Sequence, residues 1–283
     1  MGEDIRLKST AGEIGAYLAT PKGTPKGGIV VIQEIFGCNH HIKAVTDKFA
    51  QDGYLALAPC FFDRIKPGIE LGYTPDTIAE GRKYVMELGF DKPVQDVEAA
   101  IEELKKHGAR KVMVTGYCWG GTISWLAATR LKPDAVSAYY GGGIHGLKSE
   151  KAKVPTQMHF GDKDMHIPMT HVNEIRKLHP DVKVALLSGY LSVTVTMAAV
   201  KAGAEVVLSK PMGAREIVRH LEEGTSPEPD IHETPTLERV EWEHMNRVVA
   251  DTKGNLSEAA RRLGIYRQTL QRRLHRKPPK AGR

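Results

Sequence analysis

The chain has 283 residues, 41% of them hydrophobic and 26% charged, and a net charge of +6 at pH 7. That length holds one large domain and a small one. No apolar run approaches the ~18 residues of a membrane helix, and MGEDIRLKST has neither a basic leader before an apolar block nor a cleavage site, so a soluble cytoplasmic protein without a membrane partner is expected.

Three cysteines, Cys38, Cys60 and Cys118, are too few and too odd for a disulfide framework and fit a reducing compartment. The charge is unevenly spread. Residues 239–283 carry 12 Lys or Arg against four Asp or Glu, which leaves the first 238 residues at −2. An acidic partner such as nucleic acid is therefore a matter for the tail.

In chain order, GGIVVIQE (27–34), YLALAP (54–59), KVMVTG (111–116), AVSAYYG (135–141) and VPTQMHFG (154–161) are near-continuous apolar runs. Such runs suit strands buried on both faces of a parallel sheet. Between them, VQDVEAAIEELKKHG (94–108) puts Val94, Val97, Ala100, Ile101 and Leu104 on one helical stripe, with Gly108 as a stop. The alternation predicts a doubly wound, mostly parallel α/β domain. VKVALLS, SVTVTMAAVKAGA, EVVLSKP and GAREIVRHLEEG continue it as strand, helix, strand and helix. TSPEPDIHETPT (225–236) has no apolar period and reads as a linker. Three helical stretches follow, ending in RKPPKAGR.

GYCWGG (116–121) joins a strand to a helix through a turn with small neighbours on both sides. A nucleophile elbow needs that, because its central residue is strained and nothing bulky fits beside it. The following helix start favours a thiolate at Cys118, and the Trp119 amide is placed to donate to an oxyanion. Glu34 ends an apolar strand, where open α/β sheets place ligands and where a carboxylate is otherwise costly.

On QEIFGCN (33–39), GYCWGG (116–121) and HFGDKDMHIPM (159–169), residues 1 to about 182 resemble the dienelactone hydrolases (carboxymethylenebutenolidases), α/β-hydrolases with a cysteine nucleophile. The resemblance implies Cys118 as nucleophile and Asp164 as the acid that orients a histidine, with Asp162 competing for that role from the residues alone. It implies Glu34 as the carboxylate that pairs with the cysteine and helps generate the thiolate, and the amides of Ile35 and Trp119 as the oxyanion hole. Arg82 and Tyr84 are its candidates for binding a substrate carboxylate. No metal or cofactor is implied. The family's histidine belongs in a Gly-His-x-Phe type loop near 188–195, but SGYLSVTVT stands there. His159, His166 and His171 belong to the segment around Asp164, and His179 ends a helix on the other side of the sheet. Each reads as a packing or surface residue, which leaves the elbow without its base.

Residues 179–211 resemble the second half of a response-regulator receiver domain, with Ser188 as its switch hydroxyl and Lys210 before Pro211 as its phosphate-contacting lysine. The phosphoacceptor half is missing, so phosphorylation is not expected. The join falls within a strand that both parents share, around 180–186, and the receiver-derived strands are expected to complete the hydrolase-like sheet. Residues 239–275 resemble a Fis-type helix-turn-helix: Asn255 with Glu258 makes a capping-box-like start, Gly264 permits the turn, and Leu263, Ile265, Leu270 and Leu274 bury one face. Tyr266, Arg267, Thr269 and Arg272 match its DNA-contact positions, with Tyr266 standing where His or Asn is usual.

The expected organisation is thus 1–182 hydrolase-like, 183–224 partial receiver, 225–237 linker and 238–283 helix-turn-helix. One function is an ester or lactone hydrolase impaired by the missing histidine and fused to a module for double-stranded DNA. The other is a dimeric DNA-binding regulator whose α/β part is not catalytic.

Overall fold

In the computed structural model, which describes residues 2–189, 193–201, 203–210, 212–225, 237–252 and 254–274, the five apolar runs form five parallel strands. The chain divides into two compact units, Met1–Pro180 and Asp181–Arg283. The first runs β1 (Glu3–Ser9), β2 (Gly12–Ala19), β3 (Gly28–Ile32), α1 (His40–Gln51), β4 (Leu55–Pro59), a 3-10 turn (Phe61–Arg64), α2 (Pro75–Leu88) and α3 (Asp91–Lys106). It continues with β5 (Val112–Tyr117), α4 (Trp119–Arg130), β6 (Ala135–Tyr139), a second 3-10 turn (Ile144–Leu147), β7 (Thr156–His159) and α5 (Met169–Leu178). The sheet order is β1-β2-β4-β3-β5-β6-β7, and the antiparallel hairpin β1–β2 joins β4 at one edge.

Alternation along β3 divides the core. Val30 and Ile32 face α3 and α4, packing with Val97, Ala100, Leu104 and Ile123, while Ile29 and Val31 face α1 and pack with Ile42 and Ala50. The α3 stripe is buried as its period predicts, and the helix ends at His107 with Gly108 at φ +95°. Beneath the hairpin, the buried Arg64 guanidinium donates to both carboxylate oxygens of Asp96 on α3 and to Ser9 and Ala11 at the β1–β2 turn. This ion pair locks three elements together.

In the second unit, β8 (Ala185–Ser188), α6 (Val193–Lys201), β9 (Val206–Ser209) and α7 (Ala214–Glu223) form a βαβα piece, followed by α8 (Leu237–Asp251), α9 (Leu256–Leu263) and α10 (Arg267–Leu274). Here one expectation is corrected. β8 and β9 pair in parallel with each other in a separate two-stranded sheet and do not extend the seven-stranded one. A strand and its successor across one short crossover close a small loop, so local pairing costs little chain entropy. The Lys210 amide donates to the Ser188 carbonyl across the pair, which gives both receiver-like residues a backbone role. Pro211, Tyr190 to Ser192 of the replaced loop, most of the 225–237 linker and the RKPPKAGR tail lie outside the described residues. No helix among the described residues is long and apolar enough to cross a membrane.

Candidate functional site

The chain passes from β3 outward to β4 and returns to β5 on the other side of β3, so the sheet's switch point lies between β3 and β5. Crevices at the carboxyl ends of such strands are where open α/β sheets bind ligands. The register sets Ile32 opposite Gly116, which leaves Glu34 and Cys118 each two residues past a paired strand end. Cys118 has φ +57° and ψ −119°, a left-handed conformation rare outside glycine, and α4 starts directly after it. The Cys118 amide donates to the Tyr139 carbonyl at 3.0 Å, and the Cys118 carbonyl accepts from the Gly121 amide at 3.0 Å. A Cβ on Gly116, Gly120 or Gly121 would stand 2.3, 2.4 or 2.3 Å from a backbone oxygen, those of Gly120, Gln33 and Tyr139 respectively. The three glycines are therefore what lets the elbow close onto its neighbouring strands. Ile35 is held from the other side: α2 seats Gly81 on its carbonyl, where a Cβ would come within 2.1 Å. The buried Trp119 ring stands edge-on to Phe61 at 5.9 Å.

Several groups act on the Cys118 thiol in opposite directions. Burial, first of all, pushes the Cys118 thiol up; the Trp119 amide draws it down, the Glu34 charge raises it, Arg82 lowers it and Asp164 raises it. The helix start is outweighed chiefly by burial of the thiol, to which the charges of Glu34 and Asp164 add. Glu34 spends its carboxylate elsewhere: its Oε2 accepts from the Tyr73 hydroxyl at 3.0 Å. Toward Cys118 it acts as a like charge. Arg82 is exposed and its charge lowers the thiol, whereas Tyr84 has no such influence on it. The Tyr84 hydroxyl donates to Glu80 one helical turn back, and its ring stands edge-on to Phe62. Asp164 is held by its own loop, its Oδ1 accepting from the amides of His166 at 2.8 Å and Ile167 at 3.1 Å.

Two tyrosines join the site that sequence reasoning does not single out. Tyr140 at φ +40° is the other non-glycine residue with positive φ among the described residues, one step past β6 as Cys118 is one step past β5. Burial, then Glu34 and Cys118, push its hydroxyl up to about 12. Its place at a strand's carboxyl end is the signal that was available; Tyr73, in a loop 39 residues from Glu34, has none.

The C-terminal helices carry the second candidate site. Met245, Ala259, Ala260 and Leu270 are buried with Trp242, Leu263, Ile265 and Leu274 around them, so Trp242 and Met245 belong to the core. Asn255 caps α9 through the amides of Ser257 and Glu258, and Gly264 at φ +64° ends it, with the Ile265 amide donating to the Ala260 carbonyl. The capping box stops halfway, because Glu258 turns to Arg261 and Arg262 at 2.7 and 3.0 Å, whose charges outcompete a neutral amide and hold its carboxyl at about 2. Tyr266, 86% exposed, lines a shallow concavity with Arg267, Gln268 and Gln271. Arg272 is exposed and Thr269 half-buried, while Arg273 is tied to Glu241 of α8 at 2.8 Å.

The family model "Dienelactone hydrolase family" matches residues 14–188, more than half of the chain. The chain belongs to the dienelactone hydrolase family. A putative carboxymethylenebutenolidase of Synechocystis sp. is 35% identical over 179 residues, 58% of this chain and 73% of that protein. The crystal structure of a putative dienelactone hydrolase from Klebsiella pneumoniae matches with a TM-score of 0.56 at 28% identity, over 64% of this chain and 80% of its own. Residues 236–276 match the "Bacterial regulatory protein, Fis family" model. The photosynthetic apparatus regulatory protein RegA of Rhodovulum sulfidophilum is 40% identical over 110 residues, 38% of this chain and 60% of that protein. A dienelactone hydrolase-like domain is thus fused to a Fis-type helix-turn-helix, a DNA-binding module.

Against the family pattern, the histidines are otherwise engaged. His159 stacks flat on Tyr139 at 4.2 Å, burial lowers its pKa, and its Nε2 is buried without a partner. His171 stacks on His145 at 3.9 Å. His179 meets the Trp125 ring edge-on and its Nε2 contacts the Lys148 carbonyl at 3.1 Å, while His166 is exposed and offers Asp164 its backbone amide. Among the described residues, no histidine side chain bonds to Asp164.

Proposed function

We propose that residues 1–182 are an esterase-type domain in which Cys118 attacks the carbonyl of a small ester or lactone. The tetrahedral oxyanion is held by the amides of Ile35 and Trp119, and Arg82 receives a substrate carboxylate. The observation that carries the reading is the elbow itself, a cysteine at φ +57° at the switch point between β3 and β5. Without a histidine on Asp164 the domain loses both the base that activates the thiol and the base that activates water on the acyl-enzyme. The expected behaviour is therefore slow acylation and slower release, closer to one turnover than to many. Tyr84 and Asp162 take no part in this reading.

Residues 238–283 would bind double-stranded DNA through Tyr266, Arg267, Thr269 and Arg272 in the major groove, as a homodimer on paired half-sites. The span 183–224 acts as a structural piece and 225–237 as a linker. Reach to DNA and three unpaired thiols support a cytoplasmic location.

A single experiment tests the catalytic half. The protein is incubated with p-nitrophenyl acetate and analysed by intact-mass and peptide mapping. One acetyl group on Cys118, with a p-nitrophenol burst of one equivalent and a slow steady state, is expected, and Cys118→Ala abolishes both. Fast multiple turnover without a burst shows that another base serves the site, and no adduct at all shows that the thiol is not presented.

A further inference from the structure

The two cysteines that the elbow does not use share one apolar cluster. Cys38 lies in the β3–α1 loop three residues past Ile35 and is 3% exposed within the cluster beneath α1. Its Sγ lies 3.8 Å from the Ala58 carbonyl near the end of β4. Cys60, two residues further along that strand end, packs against the same cluster, and its thiol is the largest influence pushing that of Cys38 up. Cys60 is half-buried and Cys38 buried, so an oxidant from solvent meets Cys60 first.

The Cys38 loop also carries one of the proposed oxyanion donors, and the turn that Cys60 opens packs on the other. Cys38 shares its loop with Glu34 and Ile35 and is followed by Asn39, whose side chain caps α1. Cys60 opens the 3-10 turn whose Phe61 and Phe62 rings stand 5.9 and 6.4 Å from the Trp119 ring. We propose that Cys38 and Cys60 form a reversible disulfide under peroxide, a modification site that ties the Ile35 loop to the turn packed on Trp119. The meaning of that tie for catalysis rests on Ile35 and Trp119 being the oxyanion donors; the bond itself does not.

The chemistry needs hydrogen peroxide and no other partner. The Cys60 thiolate attacks one peroxide oxygen, the O–O bond breaks, and a sulfenic acid forms as hydroxide leaves and takes up the thiol proton as water. The Cys38 sulfur then attacks the Cys60 sulfur: the S–S bond forms, the S–O bond breaks, and the hydroxyl leaves with the Cys38 proton as a second water. Two thiols and one peroxide give one disulfide and two waters, and a dithiol reverses the change by exchange. The Cys60 thiol and burial push the Cys38 thiol up.

The test uses the full chain. After treatment with stoichiometric peroxide and alkylation of free thiols, non-reducing peptide maps should show the Cys38 and Cys60 peptides joined, and dithiothreitol should separate them. Amide exchange across residues 33–39 should slow at least several-fold in the oxidised protein and recover on reduction. Cys60→Ser should lose the joined peptide; should that variant fail to fold, the map of the unchanged chain still decides. Oxidation that consumes Cys118 while Cys38 and Cys60 stay alkylatable, or a bridge to Cys118, would overturn the proposal. A Cys38–Cys60 bridge without slower exchange would overturn the tie. Acylation of Cys118 in the reduced protein is read separately, so failure of the elbow reading cannot be mistaken for failure of the bridge.

Discussion

At Cys118 a helix start and one arginine oppose burial and two carboxylates, and the thiol ends up above its ordinary value. An acid whose pKa is raised reacts as its anion only at higher pH, so the rate of Cys118 alkylation by iodoacetamide should rise with a midpoint above that of an exposed thiol. Glu34→Gln removes a like charge and should move that midpoint down; Arg82→Gln removes a cation and should move it up. An upward shift on Glu34→Gln would show that Glu34 assists the thiolate as in the family pattern, and a downward shift on Arg82→Gln would show that Arg82 does not act on the thiol as a cation. That no histidine side chain among the described residues bonds to Asp164 has its own signature. Added imidazole should speed release of the acetyl group from Cys118 in proportion to its concentration, because it supplies the base that Asp164 has none to orient, and Asp164→Asn should leave that rescue unchanged. How far the site was legible follows from the same residues. Cys118, Glu34 and their glycines are local in sequence, so strand, turn and helix declare the elbow. The rise of the thiol depends on how deeply the fold buries it, and Tyr73 and Tyr140 on which loops meet there, which no short pattern encodes.

At the scale of elements, visibility tracked the stripe each segment buries. α3 hides Val97, Ala100, Ile101 and Leu104 on one face and was read with nearly its true ends. α2 buries only Gly81, against the Ile35 carbonyl, so it shows no apolar period although it packs directly on the loop after β3. The β1–β2 hairpin escaped for a related reason: β1 buries only Leu7 and leaves most of its residues exposed or half-exposed. To the pairing of β2 with β4 and the buried Leu7, Ile14, Ala16 and Leu18, the Arg64–Asp96 pair adds a polar tie, its two side chains 8% and 0% exposed. Removing one partner of a buried pair strands a charge, so Arg64→Ala should cost about 3–5 kcal/mol in urea unfolding of the first unit. Paired replacement with apolar residues of similar volume should cost far less. A single change worth under about 1 kcal/mol would mean that water reaches the pair and that packing alone holds the hairpin.

At the scale of the chain, the segregation of charge decides what the two halves meet. The last 45 residues hold the positive excess and the first 238 are slightly negative, so polyanion binding should depend on the helix-turn-helix and not on the hydrolase-like domain. Each phosphate neutralised by a cation releases counterions and adds about −0.9 to the slope of log K against log salt. Arg267 and Arg272 lie exposed on α10, whereas Arg261, Arg262 and Arg273 are paired to Glu258 and Glu241. Replacing Arg267 and Arg272 together with Ala should flatten the slope by about 1.8 if both reach phosphates, and by less, with altered sequence preference, if one reads a base edge. Fluorescence anisotropy of a labelled duplex titrated between low and physiological salt measures both quantities. Cys118→Ala should leave slope and affinity unchanged, because it alters no charge in the second unit. A slope that survives the double change but falls when lysines of the first 238 residues are neutralised would move the DNA contact out of the helix-turn-helix and reverse the division of labour inferred from charge.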